Sequence, residues 1–158
     1  MSWVRIWVHL VFSTQNRIPF LNSSDIRKNF FYHIKQNAEN KQIWLDSING
    51  YHEHIHCLIS LGKDQCISKV SQLIKGESSY WINKSGLISA NFKWQDDYWA
   101  VGVSERHINA VRSYIFDQES HHKKVSFIEE VAEFMKKYGW QIIHDQTSGG
   151  TAEDLPLC

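Results

Sequence analysis

The 158-residue sequence predicts an α+β domain in which a mainly antiparallel sheet is covered by helices on both faces. Three observations predict it. Residues 3–13 alternate: Val4, Ile6, Val8, Leu10 and Phe12 fall on one side, Trp3, Arg5, Trp7, His9 and Val11 on the other, the period of a strand. Asn49-Gly50 lies between two strand-like runs, 42–48 and 51–61, and such a dipeptide reads as a hairpin turn that makes the runs antiparallel. Two further stretches carry apolar residues at helical spacing, Ile26, Phe30, Phe31, Ile34 and Ala38, then Ile67, Val70, Leu73, Ile74 and Trp81.

Taken in order, Asn16 to Pro19 ends the first strand. Asn22-Ser23-Ser24-Asp25 opens a helix that runs to about Asn40. The hairpin 42–61 follows, then a helix over 67–82. Phe92 to Val103 is aromatic-rich and strand-like, with a bend at Asp96-Asp97. Ser104 is placed as an N-cap with Glu105 in the first turn, and the helix extends through Ile108, Val111 and Ile115 to about His121. Phe127 to Tyr138 forms a last helix, stopped by Gly139. The alternation of strands and helices gives an RRM-like or ferredoxin-like layering. Residues 1–140 form one domain; residues 141–158, with Gly149-Gly150 and few apolar side chains, form a C-terminal tail.

Hydrophobic residues make up 42%, enough for one core in a chain of this length. Net charge is zero, which argues mildly against a nucleic-acid binder. The distribution softens that argument: residues 1–94 hold 11 Lys/Arg against 6 Asp/Glu, and residues 95–158 hold 6 against 11. Three cysteines without Cys-x-x-Cys spacing suit reduced thiols. No run approaches the roughly 20 apolar residues of a membrane span, and the N-terminus lacks a signal-peptide pattern. A cytoplasmic protein is expected.

Chemistry concentrates in two places. The run His52-Glu53-His54-Ile55-His56-Cys57-Leu58-Ile59 puts His52, His54 and His56 on one strand face and Ile55, Cys57 and Ile59 on the other. Two imidazoles two apart on a strand can converge on one cation; they can equally be incidental polar residues of a second face. Tyr114 and Gln118, four apart, neighbour each other on one helical face. Alone, Tyr114 reads as a half-buried ring packed on a sheet.

The combination resembles the HUH-type single-tyrosine transposases of the insertion-sequence-200 group and their REP-associated relatives, where HUH stands for His, a hydrophobic residue, His. The resemblance is carried by Val11-Phe12-Ser13-Thr14-Gln15-Asn16-Arg17, by His54-Ile55-His56, by Phe92-Lys93-Trp94-Gln95 with Tyr98-Trp99-Ala100, and by Val103-Ser104. Tyr114-Ile115-x-x-Gln118 and His121-His122-Lys123-Lys124 with Ser126-Phe127 and Glu129-Glu130 follow in family order. Many relatives read Pro-Asp-His where this chain has Tyr51-His52-Glu53 before His54. That leaves the role of His52 open, as an extra polar side chain beside the site and not a third ligand.

The resemblance implies a DNA transposase. His54, His56 and Gln118 would bind a divalent metal, Mg²⁺ or Mn²⁺, and Tyr114 would attack a phosphodiester of single-stranded DNA at a hairpin-bearing end. A 5′-phosphotyrosine link would conserve the bond energy, so no nucleotide cofactor is needed. It also implies a homodimer with two sites, assembled in cis or in trans. Seven Trp, six Tyr and eight Phe supply rings for stacking on unpaired bases. Arg5, Arg17, Lys69, Lys75, Lys84 and Lys93 are candidates for phosphate contacts, each readable otherwise as a solvated surface charge. Two alternatives stay open: a domesticated hairpin-processing nuclease, and a non-catalytic nucleic-acid binding or metal-binding module.

Overall fold

The computed structural model describes residues 1–138; the tail expected over 141–158 lies outside the described residues. The chain runs β1 (Ile6–Ser13), α1 (Ser24–Asn40), β2 (Trp44–Gly50), β3 (His54–Leu61), α2 (Ile67–Ser85), β4 (Trp99–Val103), α3 (Ile108–Phe116), α4 (Gln118–His122) and α5 (Phe127–Tyr138). The four strands form one antiparallel sheet in the order β2-β3-β1-β4, so β3 and β1 are central. The α+β class expected from the sequence is the observed one.

The alternation of β1 is realised in three dimensions. Val8, Leu10 and Phe12 enter the main core with Phe30, Phe31 and Ile34 of α1 and Val70, Ile74 and Ile82 of α2. Aromatic rings fill its centre: Trp94 lies edge-on to Phe12 and Phe92, each with centroids 4.7 Å apart, and its indole donates to Ser78 Oγ at 3.0 Å. On the other face Leu58 packs against Ile108 and Ile115 of α3, with Trp7, Val111 and Tyr114 at the margin.

Four expectations shift. Asn49-Gly50 is not the hairpin turn: β2 continues through Gly50, which pairs with Ile55, and residues 51–53 make the reversal. Glycine is needed there for space, because a Cβ would come 2.1 Å from the His54 carbonyl oxygen. Asn49 instead donates from Nδ2 to the Phe116 carbonyl at 2.9 Å, satisfying an orphan acceptor at the end of α3. Residues 92–98 are not one strand with β4; a single bridge joins Trp94 to Thr14, and the regular strand begins at Trp99. Ser104 opens a 3-10 turn, and α3 starts only at Ile108. The helix expected to reach His121 is interrupted at Asp117 (φ −87, ψ 15), so Tyr114 and Gln118 sit on consecutive helices.

Two residues after β1 are backbone outliers. Asn16 and Arg17 have φ of 54 and 56, the left-handed region that costs a non-glycine residue roughly 1–2 kcal/mol. No described helix is long and apolar enough to cross a membrane.

Candidate metal centre and tyrosine site

His54 and His56 lie on the central strand β3, the most constrained position available, and both are fully buried. They face α3–α5, away from the main core, as strand alternation requires. Beside them on β1, the buried His9 places Nε2 2.9 Å from His56 Nδ1. Burial holds His9 neutral, its pKa lowered to about 4, and lowers that of His56 to about 3. With neutral His56 donating Nε2–H to Glu130, its Nδ1 accepts from His9 Nε2–H; were His56 Nε2 to hold a cation, the proton would sit on Nδ1 and His9 would accept instead.

Glu130 sits at the centre. Ser126 and Glu129 form a reciprocal cap at the start of α5, Ser126 N donating to Glu129 Oε2 at 2.8 Å and Glu129 N to Ser126 Oγ at 3.2 Å. That cap sets the helix so that Phe127, Glu130 and Phe134 share an inward face. The carboxylate lies 3.1 Å from His56 Nε2, 3.8 Å from His54 Nε2 and 3.3 Å from His122 Nε2. His121 Nε2 is 2.9 Å away but without hydrogen-bonding geometry. Tyr114 donates its hydroxyl to Glu130 Oε2. Burial opposes the Glu130 charge, but the hydrogen bonds from His122, His56 and Tyr114 outweigh it and hold the carboxyl far below its ordinary range. Burial also opposes a charged His122, and Glu130 again reverses the sign, raising that imidazole. Burial and the adjacent Glu130 push the Tyr114 phenol well above its ordinary value.

Ligand atoms of His54, His56, His122 and Glu130 all lie within 4.8 Å of one another. Three imidazoles and one carboxylate make a donor set suited to a divalent transition ion more than to Mg²⁺, which prefers oxygen. Gln118, fully buried, places Oε1 3.5 Å from His54 Nε2 and accepts from His122 Nε2 at 3.0 Å, while its Nε2 donates to the Tyr114 carbonyl at 3.1 Å. The residues present therefore fit a bound cation, with Gln118 Oε1 beside the His54 and His122 ligand atoms.

The sequence-derived quartet is thus brought together within one chain: the His56 and Tyr114 rings are 5.6 Å apart. His52 stays outside the group and stacks on Tyr51 at 3.9 Å. The basic candidates do not converge. Lys69, Lys75 and Lys84 are on α2, across the sheet from the histidines; Lys75 donates to the Asp96 carbonyl and lies over Phe12. Arg5 is exposed and paired with Glu105, and Lys93 is exposed. Arg17 alone approaches, with its guanidinium 6.0 Å from the Phe127 centroid. Sequence reasoning missed His9, His122 and Glu130. For His9 a signal existed, since alternation had put it on the second face of β1; the other two lay within the motifs that carry the resemblance, but only the tertiary fold, in which the segment after α3 doubles back, shows their place beside the histidines.

A family model described as transposase, IS200-like, matches residues 2–118, which excludes His122 and Glu130. No curated protein matches the chain. Among solved structures, a Deinococcus radiodurans protein assigned as a transposase superposes with a TM-score of 0.59 at 17% identity, covering 74% of this chain and 93% of that one. A REP-associated tyrosine transposase, solved bound to a REP hairpin, superposes with a TM-score of 0.55 at 17% identity, covering 99% of this chain and 93% of that one. The structural likenesses speak for the fold, and the family model, spanning well over half of the sequence, shows that this chain belongs to the IS200-like transposase family.

Proposed function

We propose that the chain cuts and rejoins single-stranded DNA at hairpin-bearing ends, with Tyr114 as nucleophile beside a divalent cation held at His54 and His56. One observation carries the reading: a tyrosine hydroxyl and a pair of strand histidines, expected together from the motif, converge on the same carboxylate, Glu130. Membership of a transposase family and a structural neighbour bound to a hairpin support the substrate class.

His54 and His56 would be the core ligands, with Gln118 and His122 close enough to complete the shell and Glu130 left outside it as the proton acceptor. A cation there supplies positive charge against the scissile phosphate. Tyr114 Oη attacks phosphorus, the phenol proton passes to Glu130 Oε2, the P–O3′ bond breaks, and the 3′-oxygen is protonated from solvent. The products are a 5′-phosphotyrosine and a free 3′-hydroxyl, and the reverse attack by another 3′-hydroxyl rejoins the strand. The hydrogen bonds converging on Glu130 hold the phenol protonated and the carboxylate weakly basic. An imidazole nitrogen that ligates a cation cannot also donate to Glu130, so filling the site would free the carboxylate to accept a proton. With three nitrogen donors, Mn²⁺ should serve better than Mg²⁺.

Moving a segment takes two cuts, so two copies would act together as a homodimer, and the proximity of Tyr114 to His56 within one chain favours sites assembled in cis. The hairpin-bound neighbour favours a second reading on the same chemistry, a resident enzyme that processes dispersed hairpin repeats.

The test is incubation with single-stranded hairpin DNA and Mn²⁺. A covalent protein–DNA band should form on a denaturing gel and vanish in Tyr114→Phe and in the His54→Ala/His56→Ala double variant. A band that persists in Tyr114→Phe removes the tyrosine from the role.

A further inference from the structure

We propose that the groove between the end of β1, residues 95–99 and Phe127 is a subsite for one unpaired nucleotide next to the cleaved phosphodiester. The inference rests on the single-strand reading above and adds where a base is held and by what.

The groove has a volume of about 470 Å³, within the roughly 300–1,000 Å³ typical of small-ligand sites. Its place follows from strand register. Val11 pairs with His56 on one side and with Trp99 on the other, and Ser13 pairs with His54. Directly paired residues point to the same face. Trp99 therefore stands on the histidine face, two strands from His56, about 10 Å away. Phe127 is the partition between groove and metal centre: it stacks on His54 with centroids 4.1 Å apart and planes at 12°, and its ring is 6.0 Å from Trp99.

The lining suits a nucleotide. Tyr98 and Trp99 supply ring surface for stacking a flat heterocycle, with Phe127, buried and already stacked on His54, as the wall beside them. Arg17 supplies a cation for the adjoining phosphate. Its position is enforced: Asn16 and Arg17 adopt left-handed backbone, the Asn16 amide donates to Gln95 Oε1 at 3.3 Å, and the guanidinium ends 6.0 Å from the Phe127 centroid. A non-glycine pair held in that conformation is uncommon and tends to mark function. Asp97 and Gln95 also line the groove. A carboxylate accepts from an exocyclic amine, so cytosine, adenine or guanine should be preferred to thymine. A purely apolar ligand would leave Arg17 and Asp97 unused.

The experiment uses the full chain carrying Tyr114→Phe, which cannot cleave. It is irradiated with a single-stranded 12-nucleotide DNA containing 5-iododeoxycytidine, digested and mapped by mass spectrometry. Crosslinks to Tyr98, Trp99 or Phe127 are expected, and Arg17→Glu, at an exposed position, should cut their yield at least fivefold. A second measurement compares oligodeoxycytidine with oligothymidine of the same length: at least threefold tighter binding of the former is expected, lost in Asp97→Asn. Crosslinks confined to peptides outside the groove, or none at all, overturn the subsite. The two readings fail separately. A wild-type chain that forms the covalent adduct but crosslinks elsewhere loses only the subsite, whereas crosslinks in the groove without any adduct in the wild type remove the proposed chemistry and leave the subsite standing.

Discussion

The two faces of the sheet use the same strands and are filled with different chemistry. Toward α1 and α2, β1 and β3 present Val8, Leu10, Phe12, Ile55, Cys57 and Ile59 to a continuous apolar core. Toward α3 and α5, one residue away along each strand, they present His9, His54 and His56 to a buried carboxylate and a tyrosine. Burial on the first face removes apolar surface from water and is favourable throughout. Burial on the second confines groups that would rather be hydrated, and holds only because each finds a polar partner. The first face sets stability; the second accepts a stability cost for a preorganised centre.

The comparison can be broken at several points. The largest expected effects are all-or-none. Tyr114→Phe should reduce adduct formation to background while the far-ultraviolet circular dichroism spectrum is unchanged. Mixing Tyr114→Phe with the His54→Ala/His56→Ala variant should not restore the adduct, since the tyrosine and histidines of one chain already meet; recovery in the mixture would show that sites form between chains.

On the apolar face, Phe30→Ala removes a fully buried ring and should cost about 3–5 kcal/mol in urea unfolding, with Mn²⁺ affinity of the folded protein unaltered. On the polar face, the largest stability effect should come from the ligand. Mn²⁺ at a hundredfold excess over its Kd should add about 2.7 kcal/mol, read as a rise in Tm that is reversed by chelator and absent in His54→Ala.

The most gradual effect, and the smallest per step, is in pH. His9 has its folded pKa lowered to about 4 by burial. The unfolded chain then binds more protons than the folded one between about 6.5 and 4, so stability falls as pH drops through that window, by at most about 1.4 kcal/mol per unit. His56, lowered to about 3, acts in the same direction. Raised His122 acts oppositely, its contribution being lost as pH rises through its folded value. His9→Asn should flatten the acid side of the urea stability profile between pH 6.5 and 4; an unchanged slope would mean that His9 is not held neutral by the fold.

How far the sequence could be read follows from the same contrast. The apolar face was legible because period two in β1 and helical spacing in α1 and α2 are local signals. His54, His56, Tyr114 and Gln118 were legible as motifs, and they do converge. Glu130 and His122 were legible only as part of the family pattern and without a role, because a Glu after a capping box and a His at the end of a short helix look like ordinary surface residues until the break at Asp117 and the turn before Ser126 fold α5 back over the sheet. Asn49-Gly50 misled for a physical reason: the glycine answers a close backbone approach and the asparagine caps a distant helix, neither of which local turn chemistry anticipates.

The central claim is that Tyr114 is the attacking group. The most direct measurement is peptide mapping of the trapped protein–DNA adduct after nuclease and trypsin digestion. The peptide Ser113–Lys123 should carry the nucleotide mass on Tyr114 and no other side chain. A nucleotide on any other residue, with Ser113–Lys123 recovered unmodified, would contradict the account.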